Sequence, residues 1–481
     1  MVLRTERRRI GSGVLGADDV LDGGLLERSA TLVRGAPGAG KTIFGLQYVT
    51  TTRDPDATNL YINLGEPSAY LRETADGFGL STDSVRFLDL SPSGDQFRTD
   101  GTYDLFRSEE IETPSLVESI RDEIEAIDPE RVVIDPVTEL RHLTSDERQF
   151  RIRVLSLLDF LKEVGATVLL TSQASDSIAD DDLQFLVDSV LDLDLCEERR
   201  TLSVSKFRGS DARRGRHTVT IDAEGMCVWP QLDPTRHRRE GSIGTLSSGV
   251  PELDALLGGG VTTGTITFLS GPTGVGKTTT GLHFMKEAAS HGDRSVLYSF
   301  EEARRTMLDR ADAIGIPARE MIADGTLVIE EIAPDELTID EFTRRIRTEV
   351  EDEAADIVMI DGISGFERTF RGVDDDPARH LMKIGRYLRN MNVTGLVTNE
   401  VHGITGEFRA TEQNVSHLAD SIVVLRHVEY RGELRKVIGV LKRRTGDFER
   451  GLRTFEITED GLDLGERLTD LRGILTGTPE W

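Results

Sequence analysis

Lysine is scarce in this chain. Of its 57 basic side chains only eight are lysine, the rest arginine, and 85 acidic side chains leave a formal net charge of -28. A balance so far to the acidic side excludes a nucleic-acid binder that works by bulk positive charge. Cysteine is scarcer still. Cys196 and Cys227 cannot build a disulfide framework and form no close metal-ligand pair, so a reduced cytoplasmic setting is expected. No stretch approaches the roughly 18 apolar residues that cross a bilayer. The opening segment carries Arg4, Glu6, Arg7, Arg8 and Arg9 with no apolar run behind them, so no signal peptide and no membrane contact are expected.

What is present is apolar sequence in short, recurring runs. Hydrophobic residues make up 38% of the 481 positions, too many for a purely solvating acidic chain. At roughly 100–200 residues per domain, the length gives about two to four domains. Internal similarity then decides the organisation. The segment SGVLGADDVLDGGLLERSATLVRGAPGAGKTIFGLQYV, from Ser12, returns as SGVPELDALLGGGVTTGTITFLSGPTGVGKTTTGLHFM, from Ser248. Lys41 maps to Lys277 and Lys206 to Lys442 at one offset of 236, while Asp135 maps to Asp361 at 226. Two copies therefore fill the chain, as domains 1–235 and 236–481. They meet at Asp233-Pro234-Thr235-Arg236-His237-Arg238-Arg239, which reads as a solvated linker or, as the alternative, a tract touching a phosphate backbone.

In the first copy the apolar runs are Thr31–Arg34, Asn59–Leu64, Arg131–Asp135, Thr167–Thr171 and Ser189–Leu195. In the second they are Thr265–Ser270, Ser295–Phe300, Asp356–Asp361, Gly395–Thr398 and Ser421–Leu425. Nearly continuous apolar strands separated by helix-period segments indicate sheets buried on both faces. The expected fold class is α/β, with two tandem phosphate-loop domains, each a parallel-centred sheet flanked by helices.

Gly35-Ala36-Pro37-Gly38-Ala39-Gly40-Lys41-Thr42 and Gly271-Pro272-Thr273-Gly274-Val275-Gly276-Lys277-Thr278 both match G-x-x-x-x-G-K-[ST], each after an apolar strand and before a helix. Glycines let successive backbone N–H groups turn inward around phosphates, and the helix N-terminus adds a favourable field. Lys41 and Lys277 are placed to reach the β/γ-phosphates, and the Thr42 and Thr278 hydroxyls to bind Mg²⁺. Two full matches at one offset leave little room for a chance glycine turn. The strands Arg131–Asp135 and Asp356–Asp361 each end in an aspartate, which beside such a loop holds Mg²⁺ through its water shell. ATP and Mg²⁺ are the expected ligands.

The strand after each loop ends differently. The second copy reads Ser299-Phe300-Glu301-Glu302, and the first reads Asn63-Leu64-Gly65-Glu66. Adjacent carboxylates at such a strand end can orient or deprotonate an attacking water or hydroxyl. An exposed acidic turn is the plainer alternative. The first copy keeps only Glu66.

A tandem of phosphate-loop domains, each with G-V-x-x-x-D-x-x-L-x-G-G ahead of the loop and an acidic strand end behind it, resembles the KaiC family of RecA-like ATPases. The resemblance covers essentially the whole chain. It implies a ring, a hexamer, with ATP and Mg²⁺ between neighbouring subunits. It also implies that each site is completed from the next subunit by a K-x-R: Lys206-Phe207-Arg208 and Lys442-Arg443-Arg444. A cation reaching the γ-phosphate would neutralise charge that develops in transfer. In this family the second domain can phosphorylate itself on adjacent Ser and Thr. The matching stretch here is Thr411 to Asp420, with Ser416 at the serine position and His417 at the threonine position. One phosphoserine, not two modified residues, is therefore expected. The chain ends at Trp481, where the family's clock member continues into a tail that binds its activating partner, so a regulatory ATPase with an unknown protein partner is expected. High acid content with little lysine is similar to proteins of salt-loving, haloarchaeal sources, where screening tolerates self-repulsion. Two other readings share the motifs. One is a RecA-like recombinase or DNA-translocating motor, opposed by the charge of -28. The other is a nucleotide-gated scaffold, which Gly65 would suit.

Overall fold

The computed structural model describes residues 8–52, 57–91, 113–144, 146–173, 182–196, 199–209, 211–334, 336–371, 376–401, 417–430 and 432–469. The chain packs as two compact units, Met1–Gln231 and Leu232–Trp481.

In the first unit, strand order runs from Val85–Asp89 through Asn59–Asn63, Arg131–Asp135, Thr167–Gln173 and Ala30–Gly35 to Ser189–Cys196. It then continues through Arg199–Phe207 and His217–Asp222 to Gly225–Trp229. The first six strands are mutually parallel and the last three antiparallel. The second unit repeats this order, with Leu327–Glu331 at the parallel edge, Ile266–Gly271 in the middle and Gly461–Leu468 at the far edge. Each unit is a RecA-like α/β domain.

The strand period of two explains why the central runs read as unbroken apolar sequence. Leu32 faces one core layer with Leu60, Ile62, Val132 and Ile134, beneath Phe150, Val154 and Leu158 of helix Glu147–Glu163. Its neighbour Val33 faces the other layer with Tyr61, Val133 and Leu169, beneath Phe44 and Tyr48 of helix Lys41–Thr50. In the second unit Phe268 and Leu269 divide in the same way between two layers. Burying one such side chain is worth about 1.5–3 kcal/mol, so register is firmly held where the loops leave the sheet.

The ten apolar runs all fall on strands, with ends shifted by a residue or two and the last run extended to Tyr430. The edge strands Val85–Asp89 and Leu327–Glu331 and the antiparallel strands are additional. Several of these strands are partly exposed and broken by charged or polar residues, as in Val85–Asp89, Arg199–Phe207 and Leu452–Thr458. Gly225–Trp229 and the Val437–Leu441 part of Glu433–Arg443, by contrast, are apolar runs not singled out in the sequence. The tract at the joint is not a free linker. Leu232 is buried in the core of the second unit, Asn390 Nδ2 donates to the Pro234 carbonyl at 2.6 Å, and Arg239 donates to the Val350 carbonyl at 2.5 Å. His237 pairs with Glu351 at 2.8 Å. Among the described residues, no helix is long and apolar enough to cross a membrane.

Candidate nucleotide-binding sites

Each phosphate loop leaves the carboxyl end of the central strand, the position at which open α/β sheets bind ligands. Gly40 and Gly276 cap the following helices at φ 106 and 117, in the left-handed region. A Cβ on Gly40 would sit 2.5 Å from Met226 Cε, and one on Gly276 would sit 2.9 Å from Ile457 Cδ1. The dihedral is what demands glycine here, since the crowding atoms are the ends of flexible side chains that can move aside. Lys41 Nζ donates to the carbonyls of Gly35 and Ala36 at 2.8 and 2.9 Å. Lys277 Nζ does the same with Gly271 and Pro272 at 2.9 and 3.0 Å. Gly38 and Gly274, at φ 79 and 73, complete the two turns. Burial holds the Lys277 ammonium below the usual lysine range, against the opposite pull of Glu400, Asp361 and Glu301.

The strand-end aspartates lie buried beside these loops. Thr278 Oγ1 is 3.1 Å from both carboxylate oxygens of Asp361, and Thr398 Oγ1 donates to Oδ1 at 2.7 Å. Burial pushes the Asp361 carboxyl above its ordinary range, and the two threonine hydroxyls oppose that. Around Asp135 the partners differ: Thr171 Oγ1 donates to Oδ1 and the Tyr61 hydroxyl donates to Oδ2 at 2.5 Å. Thr42 opens its helix at the same place as Thr278. A hydroxyl next to a carboxylate is a hard-oxygen pair that suits Mg²⁺, which takes one or two protein oxygens and fills its octahedron with phosphates and water. Among the described residues no group of three or more His, Cys, Asp or Glu side chains could hold a metal alone.

The acidic strand end of the second unit separates into two roles. Glu302 pairs with Arg310 of helix Arg304–Ala313 at 2.8 Å. Glu301 lies against the Asp361–Gly362 turn, with Arg368 at 4.0 Å. Burial first, then the charges of Glu400 and Asp361, push its carboxyl above the usual range, against Arg368 and a backbone N–H from Gly365. A carboxylate held this way is suited to accept a proton. Glu400 was not singled out in the sequence. It ends strand Thr394–Glu400, opposite Gly271, and accepts from the Thr273 hydroxyl. Gln173 stands at that register in the first unit. Glu66 is exposed, and its carbonyl accepts from Asn63 Nδ2 at 2.8 Å.

The K-x-R residues lie toward the other end of their sheets. Lys206 pairs in register with Val190, itself level with Leu32, three residues short of Gly35. That is about 10 Å back along the strand from the loop. Lys206 Nζ donates to the Gln184 and Val187 carbonyls at 2.5 and 2.7 Å, and Lys442 Nζ to the Ala419 carbonyl at 2.6 Å. Arg208 is exposed. Arg444 is half exposed, with Asp420 at 3.4 Å. Ser416 lies outside the described residues.

Parallel-centred sheets with a glycine loop, an invading lysine and a threonine beside a buried strand-end aspartate define a tandem phosphate-loop nucleotide-binding protein of RecA-like fold. The family model described as "ATPase: KaiC" matches residues 10–233 and again 246–469. The chain belongs to the KaiC family of ATPases. It is 30% identical to the circadian clock oscillator protein KaiC of Prochlorococcus marinus, over 98% of this chain and 95% of that one. To the circadian clock protein KaiC3 of Synechocystis it is 27% identical, over 98% and 94%. To the KaiC of Synechococcus elongatus it is 29% identical, over 96% and 90%.

Proposed function

We propose that the chain is a ring-forming, ATP-hydrolysing regulatory protein whose two sites divide the work, in a cytoplasmic setting and with a protein partner as its output. The observation that carries this reading is the contrast at the strand end: Glu301 beside Asp361 and Lys277 in the second unit, Gly65 in the first. The second site has a base, and the first has the phosphate-holding groups without one. Mg²⁺, held by Thr278 with Asp361 and by Thr42 with Asp135, would neutralise phosphate charge at each site.

In the second unit Glu301 takes a proton from water, and the γ-phosphoryl leaves ADP for that oxygen. With the Ser416 hydroxyl as nucleophile, the same balance gives a phosphoserine, ADP and a protonated glutamate. Such transfer is supported by family membership alone. The hexamer is supported by family membership alone; that Lys206, Arg208, Lys442 and Arg444 act on a neighbour's nucleotide is supported by their lying away from their own loops. The recombinase reading shares the fold, but the charge of -28 disfavours it.

One incubation with γ-labelled ATP and Mg²⁺ tests the reading, with free phosphate, protein-bound label and particle mass measured together. Lys277→Ala should abolish most phosphate release, and Lys41→Ala should mainly reduce particle mass. A missing general base slows turnover by about 10²–10⁴-fold, so the first site should contribute little. Equal loss from both substitutions with the assembly intact refutes the division. Bound label that disappears in Ser416→Ala supports the phosphoserine, and full phosphate release without label reduces the second unit to a hydrolase.

A further inference from the structure

The two repeats differ at a matched pair of positions beside the reacting groups. In the second unit Gly362 follows Asp361 at φ 100. A Cβ there would lie 2.8 Å from both Cγ and Cδ of Glu301. The missing Cβ is what gives the Glu301 side chain its seat. In the first unit the residue after the aspartate is Pro136, and the residue in the place of Glu301 is Gly65. The two turns are in the same register, since Leu64 N–H bonds to the Asp135 carbonyl at 2.9 Å and Phe300 N–H to the Asp361 carbonyl at 3.1 Å. A Cβ on Gly65 would come within 3.1 Å of Pro136 Cδ, and a pyrrolidine ring cannot rotate aside.

Proline also changes how the aspartate is held. Gly362 N–H donates to Thr398 Oγ1 at 2.7 Å, and that hydroxyl donates to Asp361. Pro136 has no N–H to give Thr171. The other oxygen of Asp135 is taken by Tyr61, which pairs with Val133, whereas Leu297 pairs with Met359 at the corresponding place.

We propose that Pro136 and Gly65 are a matched positioning pair that keeps the first site a holder of ATP, and that Gly362 is the counterpart that admits Glu301 in the second. The proposal rests on the division of labour above. Its added content is that the first site is closed by shape as well as by the lack of a carboxylate. Restoring the glutamate alone should therefore not restore turnover.

The test uses the full chain carrying Lys277→Ala, so that only the first site turns over. Phosphate release and ATP affinity are measured for Gly65→Glu, Pro136→Gly and the two combined. The combined variant should gain roughly 10²-fold in kcat, as a positioned base provides, with KM little changed, and each single variant should gain less than a tenth of that. Pro136→Gly alone controls for a loosened turn. A full gain from Gly65→Glu alone overturns the proposal, and so does no gain from the combined variant while it still binds ATP. A combined variant that no longer binds ATP transfers the decision to Gly362→Ala in the otherwise native chain. That substitution should lower kcat at least tenfold with ATP binding kept, and an unchanged kcat overturns the proposal. If the parent Lys277→Ala protein already hydrolyses ATP at the native rate, the division of labour itself fails, which is a different result.

Discussion

Replacing Thr398 by valine removes a hydroxyl while keeping the side-chain shape, and the structure specifies what is lost. The hydroxyl donates to the buried Asp361 carboxylate at 2.7 Å and accepts the Gly362 N–H at 2.7 Å. The charge-assisted bond is worth about 1.5–3 kcal/mol, and the orphaned buried N–H costs about 1–3 kcal/mol more. The equivalent Thr171→Val loses the bond to Asp135 but orphans no N–H, because the next residue is Pro136. Thr398→Val should therefore cost more than Thr171→Val by about 1–3 kcal/mol, the orphaned donor alone. A chain of two units gives no single unfolding free energy, so the assay is native-state hydrogen exchange. It is read on peptides spanning 357–369 in one variant and 131–144 in the other. Equal opening energies, or a larger cost for Thr171→Val, would refute the reasoning. Turnover gives an independent check. The Thr398 hydroxyl opposes the upward shift of the Asp361 carboxyl. Without it the carboxyl should protonate at higher pH, moving the acid limb of ATP turnover upward.

A second expectation concerns pH. The working form of Glu301 is ionised and its carboxyl is raised, so turnover should climb with pH through a limb above the usual carboxylate range. Glu400→Gln removes one of the raising charges and should move that limb down; an unmoved limb would separate Glu400 from the site. A third concerns assembly. Arg208→Ala should weaken each ATP-dependent subunit contact by about 1.5–3 kcal/mol with both units still folded, measured as particle mass against ATP concentration. Native assembly and native hydrolysis in that variant would rule out action across subunits.

The repeat, both phosphate loops and Asp135 with Asp361 were readable because their chemistry sits in contiguous sequence: a fixed glycine spacing and an apolar strand running into one acid. The division between Glu301 and Glu302 was not. Nothing in the dipeptide says that Glu302 pairs with Arg310, eight residues further along a helix that folds back toward it. Glu400 escaped for a similar reason, since its meaning comes from lying opposite Gly271 across a parallel ladder. Comparing the repeats position by position could have flagged it against Gln173. Tyr61 was hidden in an apolar run, where an aromatic reads as core; its ring is core, and only its hydroxyl reaches Asp135. The basic tract reads as linker because charge density suggests solvation, whereas hydrogen bonds to the Pro234 and Val350 carbonyls and the His237–Glu351 pair fix it in place.

That tract has a consequence for where the halves can be parted. The family match to the second repeat begins at residue 246, yet the second unit begins at Leu232. Leu232 is 5% exposed in its core, and Arg239 reaches from the tract to the backbone of helix Ile339–Glu351. A second half started at residue 246 would open a leucine-sized hole and release the Val350 carbonyl from its donor. Burial of a leucine alone is worth about 1.5–3 kcal/mol, a sizeable part of the roughly 5–15 kcal/mol that holds a domain folded. Started at residue 232, the same half retains both contacts. The fourteen residues from Leu232 to Thr245, which the family match to the second repeat leaves out, thus belong to the second fold's stability rather than to the gap between two folds.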